Sequence, residues 1–348
     1  MACAHDSQAS AITVRARGQH LVVDIHAHLN VAAAEARIRQ DMPQLPRGLP
    51  FSCPASDAVN GRMFAQIGSR LNGVAERIED MDRLGVDVQA ISPNPGQYYY
   101  FAAPELGREL SVMVNDAIAE AVASVPERLV GIGTVPLQDT EMAIAEMRRA
   151  VNDCGLRGIE IGTNVGGRDL SDPALRPFFA AAEDLGVLLF MHPLGFTQGE
   201  RLSDHYLNNL IGNPLESTIA LSHLIFGGVL DAHPGLKLCV AHGGGYLPAY
   251  SGRMDHAFRA REDCRQHITR EPSSYLKQLW FDSLVFDRSQ LDYLVATYGA
   301  DHVCMGSDYP FDMAEPDPVG FLDQLHEDAR AKVLGLNAAS LLNLKIGE

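Results

Sequence analysis

The sequence predicts an α/β protein of the (β/α)8 TIM-type barrel class, with a small insertion after the first strand. Three observations carry that prediction. Eight short runs rich in Val, Ile and Leu punctuate the chain, and each is followed by a longer stretch with helical spacing. Continuous apolar strands joined by helices indicate a parallel sheet covered on both faces. No glycine-rich dinucleotide fingerprint follows the first run, which counts against an open doubly wound sheet. Eight units in one chain of 348 residues favour closure into a barrel.

The candidate strands are residues 21–25, 86–91, 129–135, 156–161, 187–191, 236–241, 279–283 and 303–306. Between them the helical signals are local. Val74, Ile78, Met81 and Leu84 recur every three or four residues, and Gly85 closes that segment. Met142, Ile144, Met147 and Val151 mark a helix over 139–154, before Gly155. Asn213, Pro214 and Glu216 supply an N-cap, a first-turn Pro and a first-turn acid. The whole chain, 1–348, reads as a single barrel domain with insertions at about 30–72 and 194–213. Both follow strands, where barrel loops build the rim of a site.

Bulk composition excludes several functions. The formal net charge of −16 argues against nucleic acid, whose phosphates need a basic surface. No apolar run approaches the roughly 20 residues of a membrane span, and the N-terminal stretch lacks the apolar core of a signal peptide. Six cysteines are present (Cys3, Cys53, Cys154, Cys239, Cys264 and Cys304), without a C-x-x-C pair that would suggest thiolate zinc or a redox dithiol. Cys154, Cys239 and Cys304 lie in or beside apolar runs and read as buried. Free thiols of this kind suit a reducing cytosol, so a cytoplasmic location is expected.

The chemistry lies at strand ends. The first run ends in VVDIHAHLN, which places His26 and His28 two residues apart and so on one face of a strand. The fifth ends in LLFMHP with His192, the sixth in LCVAHGGG with His242, and the eighth in VCMGSDYPF with Asp308. Each polar group terminates an otherwise apolar strand, where burial without a partner is costly. A lone strand-end histidine is an ordinary rim residue; four histidines and an aspartate converging this way point to a shared metal. The remaining histidines lack this placement, although His205 and His256 fall near the rim.

These pieces, together with RIEDMDRLGVDVQAIS and ERLVGIGTVPLQD, resemble the amidohydrolase superfamily from about Val22 to the C-terminus. Within it the chain looks like the branch of aminocarboxymuconate-semialdehyde decarboxylases and related enzymes. The resemblance implies one divalent metal, Zn2+ with Mn2+ as the alternative, held by His26, His28, His192 and Asp308. It implies His242 as acid/base beside a metal-bound water, with Asp308 also suggested as a proton donor. It implies Arg253 as a grip on a substrate carboxylate in the neighbouring subunit, and hence a homodimer; an interface ion pair is the other reading of Arg253. Many dinuclear relatives carry a bridging Lys at the end of the fourth strand, where this chain has Glu160. A single metal is therefore expected.

Two departures bear on the substrate. Phe64 is followed by Ala65 where that branch carries an Arg, and Leu194 replaces an aromatic. A substrate with one anchored carboxylate and an apolar body fits better than aminocarboxymuconate. Phe64 and Tyr98 are candidate pocket residues; for Tyr98, within the aromatic run 97–101, ordinary loop packing is the competing reading. The expected function is metal-dependent non-oxidative decarboxylation of a small unsaturated or aromatic (hydroxy) carboxylic acid. The alternative is a lactonase or hydratase acting on a ring-cleavage-pathway acid.

Overall fold

The computed structural model describes residues 12–45 and 51–347. Cys3 and His5 lie outside them. Eight parallel strands form one sheet in sequence order: β1 (Val23–Leu29), β2 (Val88–Pro93), β3 (Leu129–Gly133), β4 (Gly158–Ile161), β5 (Leu188–Met191), β6 (Leu238–Val240), β7 (Trp280–Asp282) and β8 (Val303–Cys304). The first and last strands close the ring. Ile25 N donates to Met305 O at 3.0 Å, Asp308 N donates to His26 O at 2.8 Å, and Ala27 bridges to Tyr309.

The eight apolar runs correspond to these strands in number and order, with shifted boundaries. Strand β1 starts two residues later than expected because the Asp87 carboxylate takes the N–H of Val22 at 2.8 Å. It then continues through both histidines to Leu29. Along the strands the burial alternates between two cores. Ile25, Val88, Val130, Leu188, Phe190 and Cys239 belong to the cluster that fills the barrel. Leu129, Ile159, Leu189, Leu238 and Phe281 pack outward with helix residues such as Leu110, Ile118 and Phe178. A short parallel pair, Ile12–Val14 with Leu344–Ile346, joins the interior cluster through Val14 and Leu344.

The helices follow their local signals, with one correction. Helix Ala75–Leu84 ends at Gly85, which adopts φ +72 as a left-handed cap. Helix Thr140–Asn152 is capped by Asp139, whose side chain accepts from Met142 N at 2.9 Å. Asn213, by contrast, is no N-cap. It has helical φ/ψ of −58/−56, and a π-helical turn, Asn208–Gly212, runs directly into Asn213–Phe226. Its side chain instead accepts from Gly195 N at 2.6 Å, and Glu216 accepts from Thr197 N at 3.1 Å. Both residues fasten the 194–213 loop to the barrel.

The stretch after β1 folds as two helices, Ala32–Asp41 and Pro54–Asn72. In the second, Met63, Ile67 and Leu71 form a small cluster that packs on Phe311, just past β8. Of the cysteines expected to be buried, Cys239 and Cys304 are, whereas Cys154 is half-buried beside the Arg149 guanidinium.

Candidate metal centre

Four buried side chains converge at the carboxyl ends of the strands. One ligand atom from each of His26, His28, His192 and Asp308 lies within 4.8 Å of all the others. His26 Nε2 and His28 Nε2 are 3.1 Å apart. Asp308 Oδ1 lies 3.1 Å from His28 Nε2 and 3.4 Å from His26 Nε2. The His192 ring centroid is 4.9 Å from those of His26 and of His28.

Outer partners orient these rings. His28 Nδ1 lies 3.0 Å from the carbonyl oxygen of Pro93, which can only accept, so the ring proton sits on Nδ1. His26 Nδ1 lies 2.7 Å from Asp282 Oδ2. In both rings Nε2 is thereby turned toward the cluster. Among the described residues, neither ring nitrogen of buried His192 has a hydrogen-bond partner. Close Nε2 atoms, a carboxylate and an unpaired imidazole in a buried space are unfavourable by themselves and fit a shared cation. Three nitrogens and one oxygen suit Zn2+ or Mn2+.

The electrostatics agree. Burial alone would push the His26 imidazole down, but the Asp308 and Asp282 carboxylates outweigh it and push it up to about 10. The site therefore favours positive charge. Burial opposes ionisation of Asp308, yet the surrounding imidazoles hold it well below the usual carboxylate range. Burial, followed by the neighbouring imidazoles, holds His192 well below its ordinary value, so the ring is neutral and can offer a lone pair.

His242 stands beside this cluster. Its Nε2 is 3.6 Å from Asp308 Oδ2, and its ring centroid is 4.9 Å from that of His192. It opens a turn in which His242 (φ +56), Gly243 (+61), Gly244 (+78) and Gly245 (+68) are all left-handed. A Cβ at Gly245 would lie 2.3 Å from Pro214 O, and one at Gly244 would lie 2.7 Å from the Phe281 ring. Gly243 N donates to Asp282 Oδ1 at 2.8 Å. Asp282, wholly buried at the end of β7, escaped the sequence reading. The signal was present in the run LWFDS, an acid closing an apolar strand.

Glu160 is wholly buried at β4 and accepts the Tyr98 hydroxyl. Burial pushes its carboxyl up. The Tyr98 hydroxyl also reaches the His192 carbonyl oxygen at 3.3 Å, and its ring stacks on Tyr100 at 5.5 Å. Tyr98 thus packs behind the ligands and does not line the mouth.

Two adjoining clefts meet at Asp308 and share Asn209, Asn213 and Met313. Phe51, Met63, Phe64, Leu194, Tyr206 and Phe311 line the first. His242, Tyr246, Phe286 and Tyr293 line the second. Phe311 spans from the site outward, 5.4 Å from the His28 ring and 6.3 Å from Phe64. Arg253 is exposed on helix Gly252–Ala260 and lines neither cleft. His205 and His256 are exposed, outside the cluster.

The fold and this ligand set define a metal-dependent barrel enzyme. The sequence model of the amidohydrolase family matches residues 23–344, and the chain belongs to that family. It is 38% identical over 338 residues to the 2-amino-3-carboxymuconate-6-semialdehyde decarboxylase of Dictyostelium discoideum, covering 93% of this chain and 92% of that one. The gamma-resorcylate decarboxylase of Rhodococcus jostii (strain RHA1) is 28% identical, covering 82% of this chain and 92% of its own. The 5-carboxyvanillate decarboxylase of Sphingomonas paucimobilis shares the fold with a TM-score of 0.83 at 24% identity, over 94% of this chain and 100% of that one. A dihydroxybenzoic acid decarboxylase from Polaromonas sp. JS666, solved with manganese and 2-nitroresorcinol, has a TM-score of 0.79 at 20% identity, over 93% and 97%.

Proposed function

We propose that this enzyme is a metal-dependent, non-oxidative decarboxylase of a small aromatic or unsaturated carboxylic acid. One observation carries the reading: the buried His26–His28–His192–Asp308 set with His242 at its edge. The decarboxylase from Dictyostelium discoideum, similar over nearly the whole chain, supports the reaction class.

His26, His28, His192 and Asp308 would hold one divalent ion, Zn2+ in this reading, with Mn2+ the alternative that the Polaromonas enzyme carries. When bound, that ion supplies a Lewis acid that orients and polarises an oxygen-bearing group. Phe64, Leu194 and Phe311 give the body of the substrate an apolar wall and exclude water. As the carboxylate leaves as CO2, its bonding electron pair stays on carbon, and a proton must take its place. His242 holds that proton at the mouth, its Nε2 facing Asp308 Oδ2.

Arg253, outside this chain's own clefts, reaches a substrate carboxylate only across an interface with a second copy, so the working assembly is a homodimer. Exposed Tyr246, Tyr250, Phe286 and Tyr293 offer that interface an apolar face at the second cleft. The five described cysteines are all free thiols, which suits the cytoplasm.

A second reading is a hydratase. The 2-keto-4-carboxy-3-hexenedioate hydratase of Sphingobium sp. (strain NBRC 103272 / SYK-6) is 24% identical over 83% of this chain. The deciding experiment incubates metal-loaded protein with a panel of aromatic and unsaturated acids and follows CO2. Release of CO2 that a chelator abolishes is expected. Turnover of enols or lactones without CO2 would replace the decarboxylase reading with the hydratase or hydrolase one.

A further inference from the structure

We infer that Asp282 is a positioning residue that fixes His26 as an Nε2 metal ligand and ties that ligand to the turn carrying His242. The inference rests on the metal set proposed above and is independent of the reaction. Asp282 ends β7 and is wholly buried. Its two oxygens face in two directions. Oδ2 lies 2.7 Å from His26 Nδ1. Oδ1 accepts from Gly243 N at 2.8 Å and from Leu284 N at 3.2 Å.

A backbone N–H has no acceptor capacity, so Oδ1 must remain an acceptor. With His26 Nδ1–H donating to Oδ2, the carboxylate receives donors on both oxygens, and only an acceptor at each position satisfies the site. With metal bound, the one remaining ring proton is then locked on Nδ1, and the Nε2 lone pair faces the space shared with His28 Nε2 and Asp308. The same carboxylate joins β1 to the left-handed turn after β6, so one side chain ties the ligand to the segment that carries the acid/base. Packing leaves little freedom: a Cβ at Gly306 would lie 2.9 Å from both the His26 and the Asp282 Cβ atoms.

Asp282→Asn is nearly isosteric but must turn an NH2 toward one of the donors. Turned toward His26, it forces the ring proton to Nε2 and removes the lone pair. Turned toward Gly243, it unseats the turn. Zn2+ is titrated into metal-free wild type and variant against a chromophoric chelator, and Co2+-loaded samples are compared by their d–d absorption. An affinity lowered about 10–100-fold, with an altered Co2+ spectrum, is expected. Asp282→Glu, which keeps two acceptors, recovers part of the loss. Wild-type affinity and spectrum in Asp282→Asn would overturn the inference alone. A wild type that binds no Zn2+ would overturn the metal reading and this inference with it. Should Asp282→Asn not fold, Zn2+-loaded wild type labelled with 15N-histidine decides by NMR. His26 and His28 are each expected to carry their proton on Nδ1, whichever nitrogen His192 uses; a His26 ring protonated at Nε2 would overturn the assignment.

Discussion

His242 occupies a left-handed backbone position, costing on the order of 1–3 kcal/mol, which a protein retains only where its surroundings enforce it. Here the enforcement comes from three following glycines and the Gly243–Asp282 hydrogen bond. The ring is thereby held at the edge of the cluster, against Asp308. His242→Ala should keep its metal and its unfolding transition while losing about 10²–10⁴-fold in turnover. Metal content measured on that variant decides the matter, since loss of the ion would make His242 a ligand. His26 makes a prediction about protons. Without metal its value of about 10 leaves it protonated at neutral pH. A metal needs that Nε2 lone pair, so binding at pH 7 should release about one proton, and affinity should weaken as pH falls. Calorimetry in buffers of different ionisation enthalpy reads the number; zero would refute it. The four converging side chains were legible because each is a polar residue at or near the end of an apolar run. Asp282 carried the same mark, but the partners that give it a role, His26 on β1 and Gly243 in the turn after β6, lie far from it in the sequence. Tyr98 could be placed only by the fold, since an aromatic in a loop packs inward or outward with equal ease.

At the scale of elements, helix Ala75–Leu84 does more than cover the sheet. Arg77 is fully buried, and its guanidinium donates to His28 O at 2.6 Å and to Gln89 Oε1 at 2.7 Å, lying 4.9 Å from the centre of the Tyr309 ring. It therefore links the helix to β1, β2 and the segment after β8 in the barrel seam. A lysine offers no planar fork. Arg77→Lys should lower stability by about 2 kcal/mol in urea unfolding, because a buried carbonyl loses its donor. An unchanged midpoint would show that Arg77 is dispensable to the seam. The helix itself was readable from Val74, Ile78, Met81 and Leu84; the buried cation was not, because it occupies the same face. The second helix of the insertion, Pro54–Asn72, was hidden differently. Met63, Ile67 and Leu71 recur every four residues, but Gly61 and Gly68 interrupt the pattern with the signature of a loop. The role of Asn213 was misread because a capping residue and a loop anchor use the same side-chain oxygen.

For the molecule as a whole, the proposed dimer yields the last prediction. Sedimentation should show two chains per particle. Arg253→Ala should keep that mass and the metal while kcat/KM falls about 10–100-fold, the worth of one charged hydrogen bond. A monomeric, fully active wild type would remove Arg253 from any substrate role. Barrel closure was legible because eight apolar runs leave no strand for an edge; the assembly was not, because an exposed arginine looks alike at an interface and in water. The interior cluster, sealed by the strand pair Ile12–Val14 and Leu344–Ile346, is made of residues different from those that line the mouth. Phe64, Leu194 and Tyr206 lie on the segments that follow β1 and β5, apart from the strands themselves. Selection can therefore trade one substrate for another by rewriting those segments, and a library confined to them should yield altered specificities without eroding the folded population that every variant needs to survive.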